Sequence, residues 1–285
     1  MEYGDKHILV LGAGASGIGA SWVLAQVGAH VVLNDYKPVT LPVAEEERLV
    51  SAGVEIITGR QDESLLDGVD QIVISPGISL DIPIVKAAQA RGIDVVSEVE
   101  LAYEVSKSPI VAVTGTNGKT TTTTLLTKVL EGSGKPVRVG GNIGDSLSEV
   151  AYSMPAGGFL VAELSSYQLE TIKHFRPIGA IMLNITPDHL ARHKTMENYI
   201  AAKERIFENQ LESDFLVLNI DDSVVADMEH RAPSHILQIS QKQTVENGAY
   251  YANGQCYVVK NGVKTPVIGD EDIHIPGSHN IENIL

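Results

Sequence analysis

Short, unbroken apolar runs alternate with helical stretches along most of this chain, and that alternation restricts the fold more than any other feature. His7–Leu11, Val31–Leu33, Glu55–Ile57 and Gln71–Ile74 are dominated by Val, Ile and Leu. Strands covered on both faces read this way, because neither face needs polar residues. Between and after them, Ser16–Gln26, Ala44–Ala52, Pro83–Arg91 and Glu98–Val105 have helical length and composition. The βαβαβ order predicts an α/β fold with a Rossmann-like, doubly wound parallel sheet. At Ser106–Pro109 the chain turns polar and meets a proline, which predicts a domain boundary. Residues 1–107 are therefore expected to form one domain and residues 108–285 a second.

The second half repeats the style. Strands are expected at Ile110–Val113, Val137–Val139, Phe159–Ala162, Ala180–Leu183 and Phe215–Leu218, with helices at Thr120–Leu130 and Met196–Gln210. From Gly248 the pattern changes. Asn253-Gly254 and Asn261-Gly262 separate strand-like arms, and Asn-Gly tolerates the positive φ of a tight hairpin. A small antiparallel meander is expected there. A length of 285 residues suits about two ordinary domains, and 5% aromatic content favours α/β over all-β.

The net charge of -15 disfavours nucleic acid and anionic membranes as main partners. Cys256 is the single cysteine, so no intrachain disulfide can form, which fits a reducing compartment. The first residues lack the basic flank and long apolar core of a secretory signal. No apolar run reaches the ~18 residues of a spanning helix. A cytoplasmic location is expected. The final residues, Gly277–Leu285, read as a helix start that stops after one turn, which is costly to nucleate alone. A truncation is expected.

Two glycine loops carry the chemistry. Gly115-Thr116-Asn117-Gly118-Lys119-Thr120-Thr121 follows a Val/Ile-rich run and precedes a helix, the setting of a P-loop. Its backbone N–H groups would cradle phosphates, and the helix N-terminus would add its positive end. Lys119 would reach the β- and γ-phosphates, and the Thr120 hydroxyl would ligate Mg²⁺. Val113 occupies the first glycine position of the strict motif. Gly12-Ala13-Gly14-Ala15-Ser16-Gly17 follows the first strand, and Asp35 ends the second. Alone, this fingerprint suits NAD or FAD. A uridine diphosphate could use the same loop, since the pyrophosphate is the shared part.

Taken in order, these motifs resemble the Mur ligase family, and within it the D-glutamate-adding branch. The resemblance also rests on Ser75-Pro76-Gly77-Ile78, Gly141-Asn142-Ile143-Gly144, Glu163-Leu164-Ser165-Ser166-Tyr167-Gln168-Leu169, Asn184-Ile185-Thr186-Pro187-Asp188-His189-Leu190, Ala201-Ala202-Lys203 and Gly277-Ser278-His279-Asn280-Ile281-Glu282-Asn283. The GTNGKTT loop is shared with folylpolyglutamate synthases. The implied reaction is ATP-dependent acyl transfer: phosphorylation of the carboxylate of UDP-N-acetylmuramoyl-L-alanine, then attack by the amine of D-glutamate.

The resemblance implies two Mg²⁺ sites, one held by Thr120 and Glu163 and one involving His189 and a carbamylated Lys203. By spacing alone, Lys203 would read as a solvated helix lysine. Gly14, Ser16, Asp35, Lys37, Ser75 and Gly77 are expected to face the uridine diphosphate. Asn142, Ser165 and His189 are expected around the muramoyl-alanine and γ-phosphate. Asn280 and Asn283 are expected near the base and ribose of ATP, although asparagines at such positions also serve as caps. Two departures stand out. Tyr36-Lys37 replaces the more usual Thr-Arg, and Ala191 replaces an aspartate expected to support His189.

The resemblance also implies a C-terminal domain of roughly 150 residues that contacts the amino acid. Without it, the chain is expected to bind precursor but not to ligate, as a monomer. Rival readings are another Mur-type or folylpolyglutamate synthase-like ligase, a P-loop phosphohydrolase, or a non-catalytic nucleotide-binding module.

Overall fold

A computed structural model describes residues 3–285. The chain forms two compact units. The first contains the residues up to Ser108 together with Gly144–Ala156 and Tyr167–Phe175. The second contains Pro109–Ile143, Gly157–Ser166 and Arg176–Leu285.

In the first unit, β1 (His7–Leu11), β2 (His30–Asp35), β3 (Glu55–Thr58), β4 (Gln71–Ile74) and β5 (Asp94–Ser97) form one sheet in the order β3-β2-β1-β4-β5. All pairs are parallel. Apolar side chains are buried on both faces. Ile8 and Val10 belong to one core cluster, and Leu9 and Leu11 to the other. This is why β1 reads as an unbroken apolar run. The strand order reverses between β1 and β4, and a doubly wound sheet binds ligands at that switch point, beyond the carboxyl ends of its strands.

Two buried carboxylates on the helix Glu98–Val105 fasten the later segments to this unit. Glu98 Oε1 accepts hydrogen bonds from the Ser148 N–H and hydroxyl, each at 2.9 Å, and from the Ser146 hydroxyl. Glu100 accepts three successive backbone N–H groups, from Lys173, His174 and Phe175. Gly19 lies mid-helix because a Cβ there would meet Ser146 Oγ at 2.1 Å.

The second unit is built on β6 (Ile110–Thr114), β7 (Val137–Gly141), β8 (Phe159–Glu163), β9 (Gly179–Met182), β10 (Phe215–Asn219), β11 (His235–Ser240), β12 (Gly248–Ala252), β13 (Gln255–Lys260) and β14 (Val263–Gly269). The sheet order is β14-β13-β12-β11-β10-β9-β6-β8-β7. Strands β6 to β12 pair in parallel, whereas β12-β13 and β13-β14 are antiparallel. The meander therefore closes the sheet as expected. Asn253, Gly254, Asn261 and Gly262 all have φ between 52° and 75°, as tight hairpins require. The helix expected through Gln210 ends at Glu204 and passes into a 3₁₀ turn at Arg205–Phe207. Among the described residues, no helix is long and apolar enough to cross a membrane.

Candidate functional site

In the first unit, the loop after β1 is held by backbone geometry and one carboxylate. Gly12 has φ 100°, and its N–H donates to Asn34 O at 2.7 Å. Ser75, at the end of β4, has its hydroxyl 3.3 Å from Gly12 O. A Cβ on Gly17 would sit 1.8 Å from Gly12 O, so only glycine permits this turn. Asp35 braces the loop: Oδ2 accepts from the Ala13 N–H at 3.0 Å and Oδ1 from the Lys37 N–H at 2.9 Å. Gly14 caps the helix Ala15–Gln26, so the unpaired N–H groups of its first turn lie at the loop. Gly14, Lys37 and Gly77 are exposed, and Ser16 and Ser75 are half-buried. Burial raises the pKa of the Glu98 carboxyl, while the hydroxyls of Ser146, Ser148 and nearby Ser16 oppose the rise. Nothing in the local sequence marks Glu98, a helix acid, for this buried role.

In the second unit, the P-loop leaves β6, the strand at which the chain reverses its direction across the sheet. Gly115 has φ 152° and Gly118 φ 85°. Thr116 to Thr121 line a cavity of about 270 Å³ together with Asn142 and Glu163. Glu163 ends β8 and is buried. Its Oε1 accepts from Asn142 Nδ2 at 2.9 Å, while Oε2 has no hydrogen-bond partner among the described residues. A buried carboxylate oxygen without a donor is unfavourable unless a cation or proton satisfies it. Gly141 allows the approach, because a Cβ there would meet Glu163 O at 2.3 Å. Asn142, expected at the substrate, thus orients Glu163. Thr120 is exposed at the same cavity. These donors suit a hard cation, which favours oxygen ligands.

Lys119 Nζ donates to Gly115 O at 3.1 Å and Thr116 O at 2.9 Å. Burial lowers its pKa, and the charges of Glu163 and Asp188 oppose that. Lys203 shares the first acceptor, donating to Gly115 O at 2.7 Å. It is only 2% exposed. Burial first, then the nearby Lys119 charge, pushes its amine down to about 7, against the pull of Asp188. Tyr199 lies four residues earlier on the same helix face. Its ring centroid is 5.0 Å from Lys203 Nζ and 6.4 Å from the His189 ring, and its hydroxyl is 3.0 Å from Thr116 Oγ1. His189 has φ 54°, and its Nε2 lies 3.4 Å from Asp188 Oδ2. Carboxylate contact to this histidine therefore comes from position 188 despite Ala191. Ser165 follows β8 beside Ser166, whose hydroxyl lies 2.9 Å from His193 Nε2.

Asn280 and Asn283 are buried. Asn283 Oδ1 accepts from Thr122 Oγ1 at 3.3 Å, and its Nδ2 donates to Asn280 Oδ1 at 2.9 Å. A Cβ on Gly118 would lie 2.3 Å from Asn283 Oδ1, so Asn283 packs directly on the P-loop. Among the described residues, no three His, Cys, Asp or Glu side chains cluster as a ready-made metal site. Glu163 and Thr120 mark one corner of the loop, and His189, Asp188 and Lys203 another, with Lys119 acting on both.

The Mur ligase middle-domain model matches residues 113–285, and the MurD-like N-terminal-domain model of Mur ligases matches residues 6–97. The chain belongs to the Mur ligase family. Among Mur ligases, it is 46% identical over 285 residues to the UDP-N-acetylmuramoylalanine--D-glutamate ligase of Thermoanaerobacter pseudethanolicus, covering 100% of this chain and 63% of that one. The protein of the same name from Caldanaerobacter subterraneus subsp. tengcongensis is 48% identical over 286 residues, covering 100% and 62%. The chain thus spans under two thirds of these relatives' length. The crystal structure of UDP-N-acetylmuramate:L-alanyl-gamma-D-glutamyl-meso-diaminopimelate ligase from Neisseria meningitides shares the Mur ligase fold, with a TM-score of 0.63 at 21% identity, over 98% of this chain and 90% of that one.

Proposed function

We propose that the protein is an ATP-dependent ligase of peptidoglycan precursor synthesis that joins D-glutamate to UDP-N-acetylmuramoyl-L-alanine. Residues 1–107 would take the uridine diphosphate, and residues 108–285 the ATP. The observation that carries the reading is Glu163, a buried carboxylate with one oxygen that has no partner among the described residues, in the same cavity as the P-loop lysine and threonine. The names of the relatives support D-glutamate as the acceptor.

The chemistry must bring two anions together, the γ-phosphate and the precursor's carboxylate. Mg²⁺ held by Thr120 and Glu163, and a second held by His189 with carbamylated Lys203, would supply the charge that lets them approach. Lys119 adds a cation at the same point and stabilises the transferring phosphoryl group. Asn142 keeps the Glu163 carboxylate turned, with Oε1 occupied and Oε2 left for a cation. Lys203 fits a carbamate because an amine of pKa about 7 is about half neutral at that pH, and only the neutral amine attacks CO2. A carbamate also turns a repelling cation into an oxygen ligand. In the first unit, the helix N-terminus after Gly14 would hold the diphosphate, with Ser16, Ser75, Gly77, Asp35 and Lys37 around it. The carboxylate oxygen attacks the γ-phosphorus and ADP leaves. The D-glutamate amine then adds to the acyl phosphate carbon, loses a proton, and phosphate departs with one carboxylate oxygen.

The same reading makes the protein a cytoplasmic monomer, with this chain alone binding precursor but not ligating. The test uses precursor labelled with ¹⁸O in its alanyl carboxylate, with ATP, Mg²⁺ and D-glutamate. It is run with the chain alone and with the chain fused to the C-terminal remainder of the Thermoanaerobacter relative. The fusion should yield amide and one ¹⁸O in each inorganic phosphate. Phosphate free of ¹⁸O, or ATP turnover without precursor, would refute the proposal.

A further inference from the structure

The P-loop is braced by a neighbour outside its motif. Strands β6 and β9 pair in parallel up to Thr114 and Met182, and Leu183 N–H then donates to Thr114 O at 3.1 Å. The ladder does not stop where the strands end. Thr116 N–H donates to Asn184 O at 2.8 Å. At the next rung, the Asn184 side chain takes over from backbone: Oδ1 accepts from Asn117 N–H at 2.8 Å, and Nδ2 donates to Asn117 O at 3.1 Å. A carboxamide has the donor and acceptor of a peptide group, so it can extend a ladder that the backbone has left. The same Nδ2 donates to Glu282 Oε1 at 3.1 Å, and Thr186 N–H donates to Thr116 Oγ1 at 3.0 Å.

This pairing consumes donors. The N–H groups of Thr116 and Asn117 are both engaged by Asn184 and are not available to phosphate. The helix Lys119–Glu131 makes its first internal bond from Thr122 N–H to Gly118 O at 2.9 Å. The cradle is thus left to the N–H groups that precede Thr122, from Gly118 through Thr121.

Building on the nucleotide site proposed above, we propose that Asn184 is a positioning residue of that site: its carboxamide fixes the Asn117 peptide, so that phosphate is held by the N–H groups of Gly118 to Thr121 and not by those of Thr116 and Asn117. Aspartate cannot replace it, because it loses both Nδ2 donations and sets a carboxylate against Glu282.

Isothermal titration of the 285-residue chain with Mg·ADP, and separately with UDP-N-acetylmuramoyl-L-alanine, tests this. Asn184→Ala and Asn184→Asp should each weaken Mg·ADP about tenfold or more, since two to three hydrogen bonds are lost. Precursor affinity should stay within about twofold of the unsubstituted chain, a difference of under ~0.5 kcal/mol, which a general loss of folding would not allow. Amide hydrogen exchange in the unsubstituted chain gives a readout that needs no variant. Thr116 and Asn117 should be protected before Mg·ADP is added, and Lys119 and Thr120 should slow only afterwards. Folded variants that bind Mg·ADP like the parent, or Thr116 and Asn117 amides that become protected only with nucleotide, would overturn the proposal. A parent chain that binds no Mg·ADP but shows the same early protection would instead count against the nucleotide-site reading.

Discussion

The Lys203 amine gives the sharpest quantitative test. In an unfolded chain its pKa is near 10.5, and here burial and Lys119 lower it to about 7. That fall corresponds to about 5 kcal/mol, as an order of magnitude, for holding the proton in the folded protein. The unfolded chain binds more protons between about pH 7 and 10.5, so stability should rise with pH across that window and level off below it. Lys203→Met removes the effect without leaving orphaned partners. Gly115 O keeps Lys119 as a donor, and Thr114 Oγ1 still donates to Leu164 O at 2.8 Å. Guanidinium unfolding with EDTA at pH 6, 7.5, 9 and 10 is the assay. The variant should be the more stable protein at pH 6, with the gap closing toward pH 10. Its loss of the lysine stem's packing should be small beside the charge effect, because methionine nearly conserves volume. Parallel curves for the two proteins would refute the claim that this amine is neutralised by burial. The same depression predicts carbamate formation. About half of the amine is neutral at pH 7, against about one part in three thousand for an ordinary lysine. A ¹³C-bicarbonate carbamate resonance should appear in the parent and be absent from the variant.

Three further outcomes follow from particular contacts. Glu98→Gln should flatten a fall in stability with rising pH, since burial raises the Glu98 pKa and the folded chain holds its proton above the ordinary carboxylate range; denaturant midpoints between pH 4 and 8 check this. Gly17→Ala should abolish precursor binding while leaving Mg·ADP binding intact in calorimetry, because the new Cβ would lie 1.8 Å from Gly12 O. Asn142→Ala should weaken Mg²⁺-dependent nucleotide binding by about tenfold, the worth of a hydrogen bond to a charged group, with little change in melting temperature.

Much of the fold was legible because burial on both faces leaves an unbroken apolar run. Gln71–Ile74 and the core of β1 are read directly from such runs. β5 does not read as a strand, since Asp94–Ser97 offers only two apolar residues, and β11 carries Gln238 mid-run. The return of Gly144–Ala156 and Tyr167–Phe175 to the first unit has no local signature. It depends on Glu98 and Glu100, which in sequence look like solvated helix acids and in space are buried acceptors. The loops were readable because glycine spacing reports backbone conformation. The roles of Asn142, Asn184 and Tyr199 were not, because each is defined by partners distant in sequence. In Asn184–Leu190 only His189 carries a role that sequence makes visible, because Asn184 acts through Asn117 in the P-loop.

The central claim is that Glu163 leaves one oxygen for a cation beside a phosphate held by the P-loop. Calorimetric titration of ADP into the parent chain and into Glu163→Gln, with and without Mg²⁺, measures it directly. The parent should bind ADP far more tightly with Mg²⁺, and the variant should bind equally with or without the metal. If Glu163→Gln keeps the full Mg²⁺ enhancement, the cation sits elsewhere and the account fails.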